Sequence, residues 1–142
     1  MSLYLSQVNW YYPIVESYYL NQLYDRWEET VEKSKNDLKQ VNLKQLPRDI
    51  LYFPALLFQI IAIGLQFAPP EAKAPGLLRV ENLIASDRLS RQYSDKGMAI
   101  MNILGRYHTT LAAVQHDFLR CLWLKDCGRG SESWHSLGNA IR

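Results

Sequence analysis

Apolar residues return at every fourth position early in the chain: Val15, Tyr19, Leu23, Trp27 and Val31, widened by Leu20 and Tyr24. Asp25, Arg26, Glu28, Glu29, Glu32 and Lys33 hold the opposite face, so this stretch predicts an amphipathic helix. Pro13 stands just ahead of it, where a missing amide proton costs nothing. Lys35 to Arg48 turns polar and contains Pro47, which predicts a connection. Pro54 then opens an apolar helix from Ala55 to Phe67, and Ala68-Pro69-Pro70 stops it because consecutive prolines break the hydrogen-bond ladder. After a loop from Glu71 to Gly76, the apolar set Leu83, Ile84, Leu89, Tyr93, Met98, Met101 and Leu104 predicts two helices, broken near Ser94 to Gly97. Thr109 or Thr110 caps a further helix with Leu111, Val114, Phe118, Cys121 and Leu122 inward, and Gly128 supplies the left-handed residue that ends it. Ser131 caps a last helix that buries Trp134, Leu137, Gly138 and Ile141. Strand alternation bounded by turn residues is missing throughout, so the fold class is all-α, an irregular array of about five to six helices.

Composition narrows the class without naming a function. At 142 residues and 48% apolar content, the chain is long enough to build a core without disulfides or a structural metal. A net charge of +2 offers little to a phosphate backbone, which argues against a basic nucleic-acid-binding module. Met1 to Trp10 carries no basic leader followed by an apolar run, so an intracellular protein is expected. Cys121 and Cys127 form neither a CxxC nor a second pair and read as reduced thiols. Ile50 to Ala68 is the best membrane candidate, but its helical part after Pro54 would reach only roughly 22 Å against a hydrocarbon core of about 30 Å. A buried core helix is expected, with no membrane partner.

Candidate chemistry is sparse. His108, His116, Asp117, Cys121 and His135 are the residues from which a metal site would have to be built, and no HExxH or paired CxxC organises them, so no metal site is expected. No GxSxG elbow or cofactor motif is present, and no catalytic residue or enzyme activity is expected. Gly128, Arg129, Gly130 and Ser131 place two glycines around an arginine at a helix start, which suits either a tight interhelical turn or an anion held by backbone amides. Trp10, Tyr11, Tyr19, Trp27 and Phe58 are candidates for an apolar pocket or partner surface, with ordinary core packing as the alternative.

Three runs in order carry a resemblance: Arg106-Tyr107-His108-Thr109-Thr110-Leu111, then Trp123-Leu124-Lys125-Asp126-Cys127-Gly128-Arg129-Gly130, then Trp134-His135-Ser136-Leu137-Gly138-Asn139-Ala140-Ile141-Arg142. Val8 to Val15, and Leu46-Pro47 through Phe53-Pro54-Ala55-Leu56-Leu57-Phe58-Gln59 to Phe67, agree with it. The chain resembles the N-terminal part of the regulatory middle homology region of fungal-specific transcription factors. That resemblance implies a helical domain downstream of a zinc binuclear cluster, in nuclear proteins that regulate metabolic or stress genes. The cluster's six cysteines are not in this chain, so zinc and sequence-specific DNA binding are implied only through that separate module. Trp123, Cys127, Gly128, Arg129, Gly130, Trp134, Gly138 and Arg142 are family-characteristic without assigned chemistry. The family pattern continues beyond this point, so residues 1–142 read as part of a larger regulatory domain. Alternatives of other classes are a small-molecule sensor with an apolar pocket, and a structural domain for protein interaction or self-association.

Overall fold

The computed structural model describes residues 1–36, 46–68, 83–105 and 110–141. Six helices appear among them: α1 (Ser2–Gln7), α2 (Ser17–Asn36), α3 (Arg48–Gln66), α4 (Leu83–Leu104), α5 (Leu111–Asp126) and α6 (Gly130–Ile141). The described residues contain no strand, and the fold is all-α. The expected loop from Glu71 to Gly76, the run Arg106 to Thr109, and Arg142 lie outside the described residues.

The first stripe points inward as its spacing requires. Val15, Leu20 and Leu23 are buried, and Tyr19, Tyr24 and Trp27 pack against the same core. Glu16 opens α2, not Pro13: its two carboxylate oxygens accept the amide protons of Tyr18 (2.9 Å) and Tyr19 (2.7 Å), satisfying donors that the first helical turn leaves free. Trp27 and Tyr24 meet Phe53 of α3 at ring-centroid distances of 6.0 and 6.4 Å.

Helix α3 is the axis of the molecule, packed by α1, α2, α4 and α5. It begins at Arg48 and runs through Pro54 without ending there, so the expectation that Pro54 starts the helix is corrected. The turn ahead of the proline is held by tertiary contacts. Ile50, Tyr52 and Phe53 are buried, and the Tyr52 hydroxyl donates to the Gly105 carbonyl at 2.8 Å. Packing of this kind offsets the one backbone hydrogen bond that a proline removes. By length and apolarity the helix is able to cross a bilayer, and 61% of its most apolar window is buried inside the chain's own helices.

The second correction concerns α4, which is continuous from Leu83 to Leu104 where a break near Ser94 to Gly97 was expected. Ser94 and Gly97 do not interrupt the helix because they face α3, while Asp95 and Lys96 are exposed. The hydroxyls of Ser86, Ser90 and Ser94 donate to the Leu65 carbonyl (3.3 Å), the Ala62 carbonyl (2.7 Å) and the Gln59 side-chain oxygen (2.9 Å). Gly97 completes the row, and a methyl group there would stand 3.0 Å from the Ala55 carbonyl oxygen and 3.2 Å from His116 Nε2. Helix α5 reads the same row from its other side: Trp123 Nε1 donates to Ser90 Oγ (2.9 Å), and Arg120 Nη1 donates to Ser94 Oγ (2.6 Å) and its carbonyl (2.9 Å).

Thr110 caps α5 by accepting the Ala113 amide proton at 3.1 Å. The inward face of α5 keeps only part of the expected set: Cys121 is buried and Leu122 packs against the core. Ala112, Ala113, Gln115, His116, Asp117, Leu119, Cys121, Trp123 and Leu124 are buried, whereas Leu111 and Phe118 are exposed. Apolar periodicity pointed to Leu111, Val114 and Phe118, but the close approach of α3 and α6 selects alanines and hydrogen-bonding side chains on their sides of the helix.

Replacing Ser90 by Ala leaves the buried Trp123 N–H without its acceptor and is expected to cost about 1–3 kcal/mol. Urea unfolding of Ser90→Ala, Trp123→Phe and the double variant checks this, with the double variant losing less than the two singles together. Gly97→Ala is expected to cost roughly 1–3 kcal/mol in the same assay, since the added methyl group meets backbone that has no freedom to retreat.

Candidate functional site

The α5–α6 turn is built from the run Trp123 to Gly130. The Gly128 amide donates to the Lys125 carbonyl (3.0 Å) and the Arg129 amide to the Leu124 carbonyl (2.9 Å), with Gly128 at φ 73°, so α5 ends in a Schellman turn. Helix α6 starts at Gly130, and the Ser133 amide donates to the Arg129 carbonyl at 3.0 Å. Arg129 is therefore the N-cap residue, and Ser131 lies exposed in the first helical turn, a correction to its expected capping role. The Arg129 guanidinium forks onto the Glu132 carboxylate, with Nε to Oε1 at 2.6 Å. An anion arriving at Gly128, Arg129, Gly130 and Ser131 would have to displace that carboxylate.

Trp123 is buried behind this turn, and Cys127 is half-buried with Gln66 Nε2 at 3.7 Å from its sulfur. Burial, followed by the neighbouring Asp87 carboxylate, pushes the Cys127 thiol pKa up. Cys121 is buried, with its sulfur 3.2 Å from Ser133 Oγ, and both cysteines are free thiols.

Helix α6 docks through serines. Ser133 Oγ donates to the Cys121 carbonyl and Ser136 Oγ to the Asp117 carbonyl, each at 2.9 Å, and these two are its buried residues. The expected buried stripe is thereby overturned: Trp134 is 75% exposed and Ile141 77%, and no atom stands within 4 Å of a methyl group placed on Gly138. The reason is geometric. Short hydroxyls let α6 lie close against the α5 backbone, and large side chains on that face would hold the helices apart.

The two serine bonds make α6 antiparallel to α5, because Ser133 pairs with the later α5 residue and Ser136 with the earlier one. A helix turns about 100° per residue, and in an antiparallel pair the positions that follow the contact residues fall on one common side. That side collects Leu111, Val114 and Phe118 from α5 with Trp134, Leu137, Gly138 and Ile141 from α6, while Leu122 packs against the core. Leu111, Phe118, Trp134 and Ile141 are all exposed, so the hairpin presents a contiguous apolar face. Lys125 is the one charged residue that helical spacing puts on this side among the described residues, and it is exposed. Periodicity located the stripe on α6; only the serine contacts reveal that it points outward.

The aromatic candidates do not converge. Trp10 and Tyr11 are exposed and meet edge to face at 5.5 Å, Trp27 packs on Phe53, and Phe58 lies 5.8 Å from Tyr93. Tyr19 alone among them borders an open groove of about 610 Å³ between the N-terminal segment and α5, together with Asn9, Ile14, Leu111 and Gln115. Gln115 donates from Nε2 to the Ile14 carbonyl at 3.0 Å, and its buried Oε1 has no hydrogen-bond partner among the described residues.

No group of three or more His, Cys, Asp and Glu side chains converges among the described residues. His108 lies outside them, His135 is exposed, and His116 is buried with Nδ1 3.1 Å from Asp117 Oδ1. Arg120 is tied to Ser94 and lies 3.9 Å from Asp95, and burial pulls its pKa down while that carboxylate opposes the shift. No family model, curated protein or solved structure matches the chain.

The Arg129 hydrogen bond holds the Glu132 carboxyl below the usual carboxylate range. A folded-state pKa below the unfolded one means that the pair favours the fold above the unfolded pKa and loses that effect as pH falls through the folded value. Carboxyl NMR titration is expected to show Glu132 titrating low in the wild type and returning upward in Arg129→Ala.

Proposed function

We propose that the chain is a regulatory and interaction segment of a fungal transcription factor, working in the nucleus through contacts with another polypeptide and without sequence-specific DNA binding of its own. The observation that carries the reading is the exposed apolar face of the α5–α6 hairpin. Three of its exposed residues, Leu111, Trp134 and Ile141, lie in runs that carry the family resemblance, and Phe118 lies between them. A face of this kind on an otherwise well-packed helical unit fits a docking surface and supplies no catalytic constellation. The low net charge of +2 fits DNA contact through a separate module. The same face also fits a segment of a larger domain whose further helices pack there.

A second reading, small-molecule sensing, is favoured by one observation: the groove beside Tyr19 and Leu111 holds the unpartnered Gln115 oxygen. A ligand there would bring an apolar body and one N–H or O–H donor. Thermal-shift screening with such compounds tests it, since binding to the native state must raise the melting temperature.

The regulatory reading is tested by inserting the chain between a heterologous DNA-binding domain and an activation segment in a yeast reporter. Insertion is expected to change reporter output several-fold, in the manner of a docking surface whose loss costs a few kcal/mol. The double variant Trp134→Asp/Ile141→Asp is expected to abolish that change at equal protein level. Equal output from the wild-type insertion, the double variant and a neutral helical spacer would refute the proposal.

A further inference from the structure

We infer that the α5–α6 face receives a single amphipathic helix whose apolar residues recur at i, i+3, i+4 and i+7 and which carries carboxylates at the end that reaches Lys125. This rests on the reading of the face as an interaction surface and goes on to name what lies on it. Leu111, Phe118, Trp134 and Ile141 together expose roughly 500 Å² of apolar side chain, within the size range of functional patches on monomers. A stable dimer needs about 800 Å² from each partner, so a second copy of this chain laid face to face is undersupplied. One helix of three to four turns matches the available length, since α6 itself has 12 residues.

The relief of the face points the same way. Two antiparallel helices leave a furrow between them, and a third helix seats its ridge of side chains in such a furrow. Along this one the walls are Phe118 and Leu111 on one side and Trp134 and Ile141 on the other. Gly138 lies one turn beyond Trp134, with open space where a side chain would stand, so an incoming apolar side chain finds room beside the indole. Lys125 places one positive charge at the Trp134 end of the furrow, and no carboxylate falls on that side by helical spacing among the described residues. A carboxylate on the occupant completes that charge, and a basic helix is disfavoured.

Helix α6 is held to α5 by two serine hydroxyls and buries no large apolar side chain. An occupant covering Trp134 and Ile141 therefore protects α6 as well as binding it, which gives the test a readout separate from affinity.

The experiment pans phage-displayed helical peptides, with apolar residues fixed at i, i+3, i+4 and i+7 and all other positions random, against the full chain. Enriched peptides are expected to carry Asp or Glu near one end and, as synthetic peptides, to slow amide hydrogen exchange throughout α6. Trp134→Ala is expected to weaken binding by about tenfold or more, as loss of a central aromatic anchor does. Lys125→Glu is expected to weaken the acidic peptides by about three- to tenfold, mainly through the loss of charge complementarity. Both residues are exposed, and unchanged far-UV circular dichroism confirms that the variants fold. Failure to enrich a helix, or binding indifferent to Trp134→Ala, overturns the inference. So does a concentration-dependent dimer in sedimentation that Trp134→Ala abolishes, which would make a second copy the occupant. If the wild-type insertion changes reporter output and Trp134→Asp/Ile141→Asp abolishes that change while no helix binds, only the named occupant fails. If helices bind and the reporter is indifferent, the regulatory reading fails instead.

Discussion

The mutual register of α3, α4 and α5 depends on the hydroxyl row of α4. Apolar contact is non-directional and would let α3, α4 and α5 slide or rotate against one another at little cost. The hydroxyl of Ser90 removes that freedom, because it donates to the Ala62 carbonyl and accepts from Trp123 Nε1 at the same time. Ser94 repeats the arrangement a turn later, with Gln59 as acceptor and Arg120 as donor. Each hydroxyl thus uses both its proton and a lone pair inside the core, where an unmade bond is expensive. Three helices are fixed together by groups small enough to let their backbones come close.

The same device recurs at the edge of the structure with an opposite outcome. On α4, the serines leave the large apolar residues of α3 and α5 free to pack around them. On α6, Ser133 and Ser136 occupy the buried side themselves and turn Trp134 and Ile141 outward. Serine-mediated docking therefore closes the core in one place and exposes an apolar face in another. That face is the one on which the proposed partner contact rests.

Sequence periodicity read the first stripe well because its large residues, Leu20 and Leu23, do the packing. It identified the helical class, the Thr110 cap and the left-handed Gly128 for the same reason: each is a local, chemically obligatory choice. It failed where a tertiary contact reassigns a residue. Pro54 and Gly97 are breakers in isolation, yet the packing around Phe53 and the close passage of the Ala55 carbonyl keep them within helices. The α6 face was legible as a stripe, but its direction was not, since hydroxyl-to-carbonyl bonds leave no trace in hydrophobic spacing. The aromatic candidates show the converse problem: Trp27 and Phe58 share a composition with Trp10 and Tyr11 but not a surface.

The bond from Gln115 to the Ile14 carbonyl joins residues 101 positions apart, whereas the α5–α6 serine contacts span 12 and 19. Loop-closure entropy grows with the length of chain enclosed, so the two contacts belong to different stages of folding. The α5–α6 hairpin closes over residues near one another in the chain. The N-terminal segment can be secured only after most of the chain has been ordered. Its ties reach α5 through that bond and α3 through Tyr4, which stands against Gly64. Leu111 borders the groove beside that segment and also stands on the hairpin's apolar face, so the beginning of the chain and that face share a residue.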